Sequence, residues 1–165
     1  MVVFALDDGR YGLALPSVRR VLRVVAITPL PEAPPIVLGV VDLGGTIVPV
    51  IDLRRRFGHP SRGVRLSDQL VVAHTGRRTV ALLVDEARGV LEVPEEESVP
   101  ARHILPGLEL VEGAVKLPDG LVLIHDLERL LSLEEEAAID RVLRAAAERN
   151  GGVGGGGEEP AGGVR

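Results

Sequence analysis

Four histidines, His59, His74, His103 and His125, are the residues of this chain best suited to acid–base or metal chemistry. None of them has another histidine or a carboxylate at a spacing that would form a ligand set on one strand or helix. His125 and Asp126 are neighbours, and neighbouring residues of a strand point to opposite faces. The chain has no cysteine, and no serine lies in a Gly-x-Ser-x-Gly turn. The sequence therefore predicts no catalytic residue, no metal site and no cofactor.

Two further groups of residues each allow a structural and a functional interpretation. Arg54, Arg55 and Arg56 form the one strong basic cluster, which is either a solvated turn or a contact with an acidic partner. Val18 and Val21 lie on a predicted strand, and one face of that strand must be core while the other can meet a partner. The residues alone leave both interpretations open.

Composition excludes several classes of binding protein. The chain has 165 residues, of which 45% are hydrophobic and 26% charged, so it can bury a core. Only 2% are aromatic, which is too few to stack nucleic-acid bases, and the net charge of −5 disfavours binding to a phosphate backbone. Charges or prolines interrupt every apolar run before it could span a bilayer, and the start of the chain lacks a signal sequence. We therefore predict a cytoplasmic protein with no nucleic-acid partner and no direct membrane insertion.

The net charge is unevenly distributed along the chain. Residues 1–63 carry a charge of +3, residues 64–131 carry −5 and residues 132–165 carry −3. This asymmetry suits a body that presents different faces to different partners, but ordinary surface scatter explains it equally well.

Short runs of Val, Leu and Ile recur between Gly, Pro and Asp turns, a pattern typical of all-β proteins. The predicted strands of the first half are Val2–Leu6, Tyr11–Leu15, Val18–Val25, Leu38–Val41 and Thr46–Ile51. Those of the second half are Leu70–Ala73, Thr79–Val84, Gly89–Val93, Leu110–Lys116 and Leu121–His125. Four prolines between residues 29 and 35 predict a stiff connection without regular pairing.

The two halves are copies of one another. Tyr11–Leu22 aligns with Val80–Leu91 at an offset of 69 residues, and Gly39–Leu53 aligns with Gly113–Leu127 at an offset of 74. Each copy ends in Asp and Leu, followed four residues later by another large apolar side chain. This pattern predicts a single helical turn with Asp at its N-cap, whose apolar side chains close the end of a barrel. Two repeats of about five strands predict two small closed barrels.

We therefore predict an all-β fold of two pseudo-repeated five-stranded barrels followed by a C-terminal helix. The first barrel is formed mainly by residues 11–63 and the second mainly by residues 66–131, and the terminal strands can exchange between the barrels. Residues 132–149 form the helix, because Ser132-Leu-Glu-Glu135 is a capping box followed by an apolar stripe. Residues 150–165 are rich in glycine and are predicted to be a disordered tail.

Several of these segments resemble the CheW family. They are Val18-x-x-Val21-Leu22, residues 27–31, the specific motif from Gly39 to Arg54 with Phe57-Gly58 after it, residues 81–85 and 89–91, and the Asp126-Leu127 ending. The resemblance covers about residues 1–131. It implies two SH3-like barrels without catalytic activity, which bind the regulatory domain of the histidine kinase CheA and the cytoplasmic tip of methyl-accepting receptors.

The resemblance also assigns candidate contact residues. It places a receptor-facing groove between the barrels, with Val18, Arg20, Val21, Gly39, Gly44 and Gly45. The charge of the basic cluster, and not the resemblance, makes Arg54, Arg55 and Arg56 the candidate contacts with the kinase.

Two groove positions depart from the family pattern. Family members usually carry an acidic residue at the position of Arg20 and an arginine at the position of Gly44. Losing both members of such a pair can be nearly neutral, whereas losing one leaves an unpaired charge. We therefore expect the fold to be kept and the receptor affinity, or the choice of receptor, to be altered.

The predicted function is that of a non-catalytic adaptor that couples methyl-accepting chemoreceptors to CheA in a chemosensory system. The nearest alternative is a CheW-like regulator that binds the kinase but not typical receptors. A small β-barrel enzyme or ligand carrier is a weaker alternative, because the sequence offers no convergent set of polar groups for a pocket.

Overall fold

The computed structural model describes residues 1–100, 103 and 110–151. Within these residues the chain forms eleven strands, arranged in two sheets, and two α-helices. The strands are β1 Val2–Leu6, β2 Gly9–Leu13, β3 Val18–Arg23, β4 Val37–Leu43, β5 Thr46–Asp52, β6 Gln69–His74, β7 Thr79–Val84, β8 Glu86–Val90, β9 Ser98–Pro100, β10 Val111–Leu117 and β11 Gly120–His125. The helices are the single turn α1, Leu53–Arg56, and the long α2, Leu133–Gly151.

The all-β prediction with a C-terminal helix is confirmed, and the differences lie at strand ends. β1 and β7 have the predicted bounds, whereas β2 ends at Leu13 because a 3-10 turn that includes Pro16 follows it. β8 begins at Glu86, three residues before its predicted start. β9 was absent from the predicted set, since it is a short, exposed strand at a sheet edge that ends in proline.

The two sheets have the same strand order once the repeat is applied. In the first sheet the order is β3, β6, β7, β5, β4, and in the second it is β8, β1, β2, β11, β10, β9. Each sheet contains one parallel pair, β5 with β7 and β11 with β2, and all its other pairs are antiparallel. The internal duplication is therefore present in the hydrogen-bonding pattern as well as in the sequence.

Each sheet is completed by strands from the other half of the chain. β6 and β7, at residues 69–84, belong to the first sheet, and the N-terminal pair β1 and β2 belongs to the second. The predicted ranges of 11–63 and 66–131 therefore need correction: the first barrel takes residues 18–52 and 69–84, and the second takes residues 2–13 and 86–125. The expectation allowed terminal strands to exchange, but the sequence does not fix which strands do so, because an exchange of equivalent strands preserves the hydrogen-bonding pattern of the repeat.

One apolar core joins the two barrels. It contains Phe4 and Leu6 of β1, Ile51 and Leu53 at the end of the first sheet, and buried residues of β6, β7, the turn at Leu127–Arg129, and α2. Two smaller clusters fill the individual barrels. Full burial of each such side chain contributes about 1.5–3 kcal/mol, so separating the barrels would expose the largest part of the core.

Helix α2 is held in place by its cap, by its apolar face and by ion pairs with Arg56 and Arg78. Ser132 and Glu135 form the predicted capping box, and Ile139 is fully buried in the shared core. Arg78 of the first sheet pairs with Glu136 and Asp140 of the helix. The helix extends through Gly151, two residues past its predicted end, and the rest of the predicted tail lies outside the described residues. No described helix is both long and apolar enough to cross a bilayer.

Gly39 is required where two chain segments come into close contact. It has a φ of +152°, and a Cβ placed there would lie 2.2 Å from the Thr28 carbonyl oxygen. Thr28 forms a β-bridge to Val40, which brings the proline-rich connection onto β4. The second repeat has Gly113 at the equivalent position, where a Cβ would lie 2.9 Å from the carbonyl oxygen of Val99 in β9. The single bridge at Thr28 is thus the counterpart of β9.

We expect Gly39→Ala to destabilise the fold by more than about 2 kcal/mol, because the backbone conformation and the Thr28 carbonyl both reject a side chain. Urea unfolding followed by circular dichroism measures this change. Gly63→Ala is the control, since a Cβ there meets nothing within 4 Å, and its effect should stay within about 0.5 kcal/mol. Equal stability of the two variants would show that the close approach is not a constraint.

Candidate partner-binding surfaces

The edge strand of the second sheet contacts the first sheet beside the edge strand β3, at Gln69 of β6, which pairs across the sheet with Arg23 of β3. β3 is the outermost strand of the first sheet, and β8, its counterpart in the repeat, is outermost in the second. Gln69, at the end of β6, accepts a hydrogen bond from the backbone of Ala87 in β8 at 2.6 Å. This bond joins the first sheet to the edge of the second. We call the surface along β3 and β8 the seam.

The strand β3 presents Val18, Arg20 and Val21 near the seam. A β-bulge between Val18 and Arg20 leaves Arg19 as the extra residue, so Val18 and Val21 share one face of the sheet. Val18 is half-buried against the shared core, whereas Val21 is 40% exposed. Arg20 is on the opposite face and is exposed. Val18 therefore fits the interpretation that it belongs to the core, whereas Val21 fits the interpretation that it meets a partner.

The three glycines of the predicted groove have different structural roles. Gly39 is buried at the close approach described above. Gly44 and Gly45 form the exposed turn between β4 and β5, with φ values of +65° and +91°. Positive φ at both positions is the geometry of a tight hairpin turn and favours glycine. The turn is further held by Asp42, which accepts a hydrogen bond from the Gly45 amide at 2.7 Å.

Arg54 is buried and paired within the chain, which fits neither the solvated-turn interpretation nor a direct contact with a partner. Its residue is 5% exposed, and its guanidinium bonds both carboxylate oxygens of Asp7 at 2.8 and 2.9 Å. It also bonds Asp85 at 2.6 Å. The physical reason is that the turn α1 points its first arginine toward the junction of β1, β7 and β8, where two carboxylates offset its charge. Arg54 is thus not free to meet a partner.

A second arginine extends this arrangement into a partly buried ionic network. Arg62 bonds Asp85 at 2.5 Å and Asp68 at 2.7 Å, and Asp68 is 1% exposed. Burial opposes ionisation of Asp68 and Asp85, but hydrogen bonds from the two arginines and from backbone amides outweigh it, so the pKa of each carboxyl is lowered. Asp85 is the residue between β7 and β8. The network Asp7–Arg54–Asp85–Arg62–Asp68 therefore fixes the chain where it passes from one sheet to the other.

The other two arginines of the cluster differ in their availability. Arg56 pairs with Glu135 at the start of α2 and helps to dock that helix. Arg55 is exposed, and among the described residues its guanidinium donates only to the backbone oxygen of Pro35, at 3.2 Å. Of the three predicted contact residues, Arg55 keeps its charge unpaired by a carboxylate.

The histidines do not converge on a reactive site. His125 is 7% exposed and stacks on Phe57 with ring centroids 4.0 Å apart. His59 contacts the Tyr11 hydroxyl at 2.5 Å and Asp7 at 3.2 Å, so it extends the ionic network. Among the described residues, no group of three or more histidines or carboxylates is arranged to hold a metal ion.

His125 is buried without good hydrogen bonds. Neither of its ring nitrogens has a hydrogen-bond partner of ordinary geometry among the described residues. Burial lowers its pKa to about 4, against a smaller opposing effect of the Leu110 backbone. Its counterpart in the first repeat is Ile51, which is fully buried in the shared core. His125 thus occupies an apolar core position as a neutral ring.

The residues that sequence reasoning missed are Asp7, Arg62, Asp68, Gln69 and Asp85. The partners of Arg54 are 47 and 31 residues away, and Gln69 and Ala87 are 18 residues apart. Contacts of this separation leave no periodic signal in one sequence. The sequence did indicate the N-caps: Asp52 and Asp126 each accept a hydrogen bond from a backbone amide of the turn that follows.

The comparisons with known proteins agree with this architecture. The family model of the CheW-like domain matches residues 1–135. The chain belongs to the CheW family. It is 30% identical to the chemotaxis protein CheW of Klebsiella aerogenes over 146 residues, which covers 87% of this chain and 88% of that protein. It is 29% identical to the chemotaxis protein CheW of Bacillus subtilis over 136 residues, covering 81% and 87%.

A solved structure is similar over most of the same range. The scaffolding protein TtCheW from Thermoanaerobacter tengcongensis superposes with a TM-score of 0.74 at 32% identity, covering 81% of this chain and 92% of that one. The fold is accordingly the pair of SH3-like barrels expected of the CheW family. As a CheW-like protein, the chain is a chemotaxis coupling adaptor and a scaffold without catalytic activity.

We expect Asp85→Asn to destabilise the protein by about 3 kcal/mol, because it removes the negative charge that offsets Arg54 and Arg62 in a largely buried site. Since the lowered pKa of Asp85 stabilises the folded state only while the carboxyl is ionised, wild-type stability should also fall as the pH drops below about 5. Urea unfolding at pH 7 and pH 4 measures both effects. Asp119→Asn breaks an exposed pair with Arg10 and should cost less than about 1 kcal/mol. Equal costs for the two variants would contradict a structural role for the network.

We expect His125→Ile to remove part of the acid sensitivity of the fold. The pKa of His125 is about 4 in the folded protein and near 6.5 when unfolded, so the unfolded state binds more protons between these values. The wild type should therefore lose up to about 3 kcal/mol as the pH falls from 6.5 to 4, and the variant should lack this contribution. Unfolding midpoints at pH 7, 5.5 and 4.5 measure it. Parallel pH profiles for the two proteins would refute the assignment.

Proposed function

We propose that this protein works in the cytoplasm, where it links the cytoplasmic tip of methyl-accepting chemoreceptors to the regulatory domain of a CheA-type histidine kinase. The observation that carries the proposal is the pair of equivalent sheets fused by one core, with the edge strand β8 of the second sheet held against the first sheet at Gln69. Such a body offers two related but unequal surfaces in a fixed geometry. That is the property a coupling scaffold needs.

An adaptor of this kind changes which states its partners populate, without chemistry of its own. It can do so only if it binds one state of the receptor or kinase more tightly than another. A rigid connection between the two binding surfaces makes this coupling effective, because strain at one surface is not lost in a flexible joint. The shared core and the ionic network at Asp85 provide the rigid connection.

We assign the receptor to the seam and the kinase to a surface that includes Arg55. Val21 supports the first assignment, because it is a large apolar side chain exposed at an unpaired strand edge. Arg20, Gly44 and Gly45 are exposed as well, while Val18 and Gly39 support the surface from within. Arg55 supports the second assignment, because its guanidinium faces solvent without a carboxylate partner.

The alternative, a regulator that binds the kinase but not typical receptors, is favoured by one pair of observations. Arg20 is exposed and unpaired among the described residues, and Gly44 contributes no side chain to the turn after β4. The resemblance indicates an acidic residue in place of Arg20 and an arginine in place of Gly44, so a typical receptor tip would meet an altered surface. Binding of the kinase would not be affected by this change.

We expect Val21→Asp and Arg55→Glu to have reciprocal effects. Val21→Asp should weaken binding of a chemoreceptor tip at least about tenfold, because it places a charge at an apolar contact, and should leave kinase binding unchanged. Arg55→Glu should weaken binding of the kinase regulatory domain and spare the receptor tip. Isothermal titration with each partner alone and then with both measures these affinities. Leu133→Asp, which changes an exposed apolar residue at the start of α2, is the matched control.

The outcomes separate the proposals. Binding of both partners by the wild type, with losses as expected, supports the coupling function. Kinase binding without any receptor binding, alone or in the ternary mixture, would replace it with the regulator alternative. If neither variant changes either affinity, the assignment of the two surfaces is wrong.

A further inference from the structure

The unpaired positive charge of the first half of the chain is concentrated on β3. Arg19, Arg20 and Arg23 are all exposed there, and none of them has an ion pair among the residues that the structure describes. Most other arginines of residues 1–63 are paired with carboxylates: these are Arg10, Arg54, Arg56 and Arg62. The +3 charge of this segment is therefore displayed mainly along one strand edge. We call Arg19, Arg20, Val21 and Arg23 the arginine strip.

The fold does not require this charge. β8 is the equivalent strand of the repeat and forms the same kind of sheet edge, yet it has Gly89 where β3 has Arg20. Its one arginine, Arg88, pairs with Glu86 at 3.3 Å. Three like charges close together on one strand repel each other and lower stability slightly when no counter-charge is present. A bound anionic partner would remove this repulsion.

We infer that the arginine strip selects a chemoreceptor tip whose docking helix carries a row of acidic residues. The inference rests on the proposed function and specifies the partner at the same surface. Residues 19 to 23 span about 13 Å along an extended strand. Arg20 is on the opposite face of the sheet from Val21 and Arg23, so the helix must dock against the free edge of β3, where arginines of both faces can reach it. Carboxylates at positions i, i+4 and i+8 of a helix are spaced about 6 Å apart, so a row of three spans a similar length. Val21, 40% exposed within the strip, contacts an apolar residue of the same helix face.

Charge and length favour this occupant over a nucleic acid. The whole chain carries a net charge of −5, so a long polyanion would be repelled outside the strip. The arginines also lie within a single strand, which suits a short row of side chains. The strip thus acts in partner choice and not as a general anion-binding surface.

The test uses two synthetic helical hairpins that reproduce one chemoreceptor tip and differ only at three docking positions, all Glu in one probe and all Lys in the other. Fluorescence anisotropy at 50 and 300 mM NaCl measures their binding to the full chain. We expect the Glu probe to bind at least about tenfold more tightly than the Lys probe at low salt, and this difference to shrink at high salt. The triple variant Arg19→Glu/Arg20→Glu/Arg23→Glu should reverse the preference. Arg141→Glu/Arg144→Glu/Arg149→Glu, at exposed positions of α2, is the control with the same change in net charge.

The failure of this inference is distinguishable from failure of the proposed function. If both probes bind equally at 50 mM NaCl, the charge selection is refuted while receptor coupling stands. If neither probe nor an unmodified receptor tip binds although the kinase regulatory domain does, receptor coupling itself fails. Equal affinity for the Glu probe and for a DNA duplex would also refute the inference, because the strip would then bind polyanions without selection. Circular dichroism confirms that each variant is folded.

Discussion

The structure depends on one apolar core that is shared by two sheets. Strands from each half of the chain complete the sheet of the other half, and Phe4, Leu6, Ile51 and Ile139 meet in the same cluster. Neither sheet can separate without exposing that cluster to water, which costs far more than the marginal stability of a domain of this size. The ionic network around Asp85 acts at the crossing between the sheets, where directional contacts set the angle that apolar packing alone leaves adjustable. The position of the two free edges relative to each other follows from these two constraints.

The duplication explains why the molecule has two related surfaces, and the departures from it explain why they differ. β3 and β8 occupy equivalent edges, but β3 carries three arginines without an ion pair among the described residues, whereas the one arginine of β8, Arg88, is paired with Glu86. Ile51 and His125 occupy equivalent core positions, but one is apolar and the other a buried neutral imidazole. Arg54 serves the ionic network, whereas its counterpart Glu128 is an exposed residue in the turn after β11. An adaptor that must distinguish two partners gains from such asymmetry, because the same backbone then presents different charges.

The sequence predicted the fold class, most strands, the capped turns at Asp52 and Asp126, and the capping box of α2, because each of these is encoded by neighbouring residues. An exchange of terminal strands was expected as possible, but local sequence did not show which strands exchange, since equivalent strands have interchangeable hydrogen-bonding patterns. The role of Arg54 was misjudged for the same kind of reason: a run of three arginines indicates solvent exposure, but its partners Asp7 and Asp85 lie far away in the chain. The exposure of Val21 and the burial of Val18 likewise depend on a bulge that the sequence does not mark.

The most direct test of this account is a distance measurement between the two barrels in solution. The chain has no cysteine, so spin labels can be placed at Leu66→Cys beside the first barrel and Leu121→Cys in the second, both at exposed positions. Double electron–electron resonance should give a single narrow distance distribution that is unchanged by the kinase regulatory domain. A broad or two-peaked distribution in the free protein would show that the barrels move independently, and it would contradict the claim that the shared core fixes the two binding surfaces.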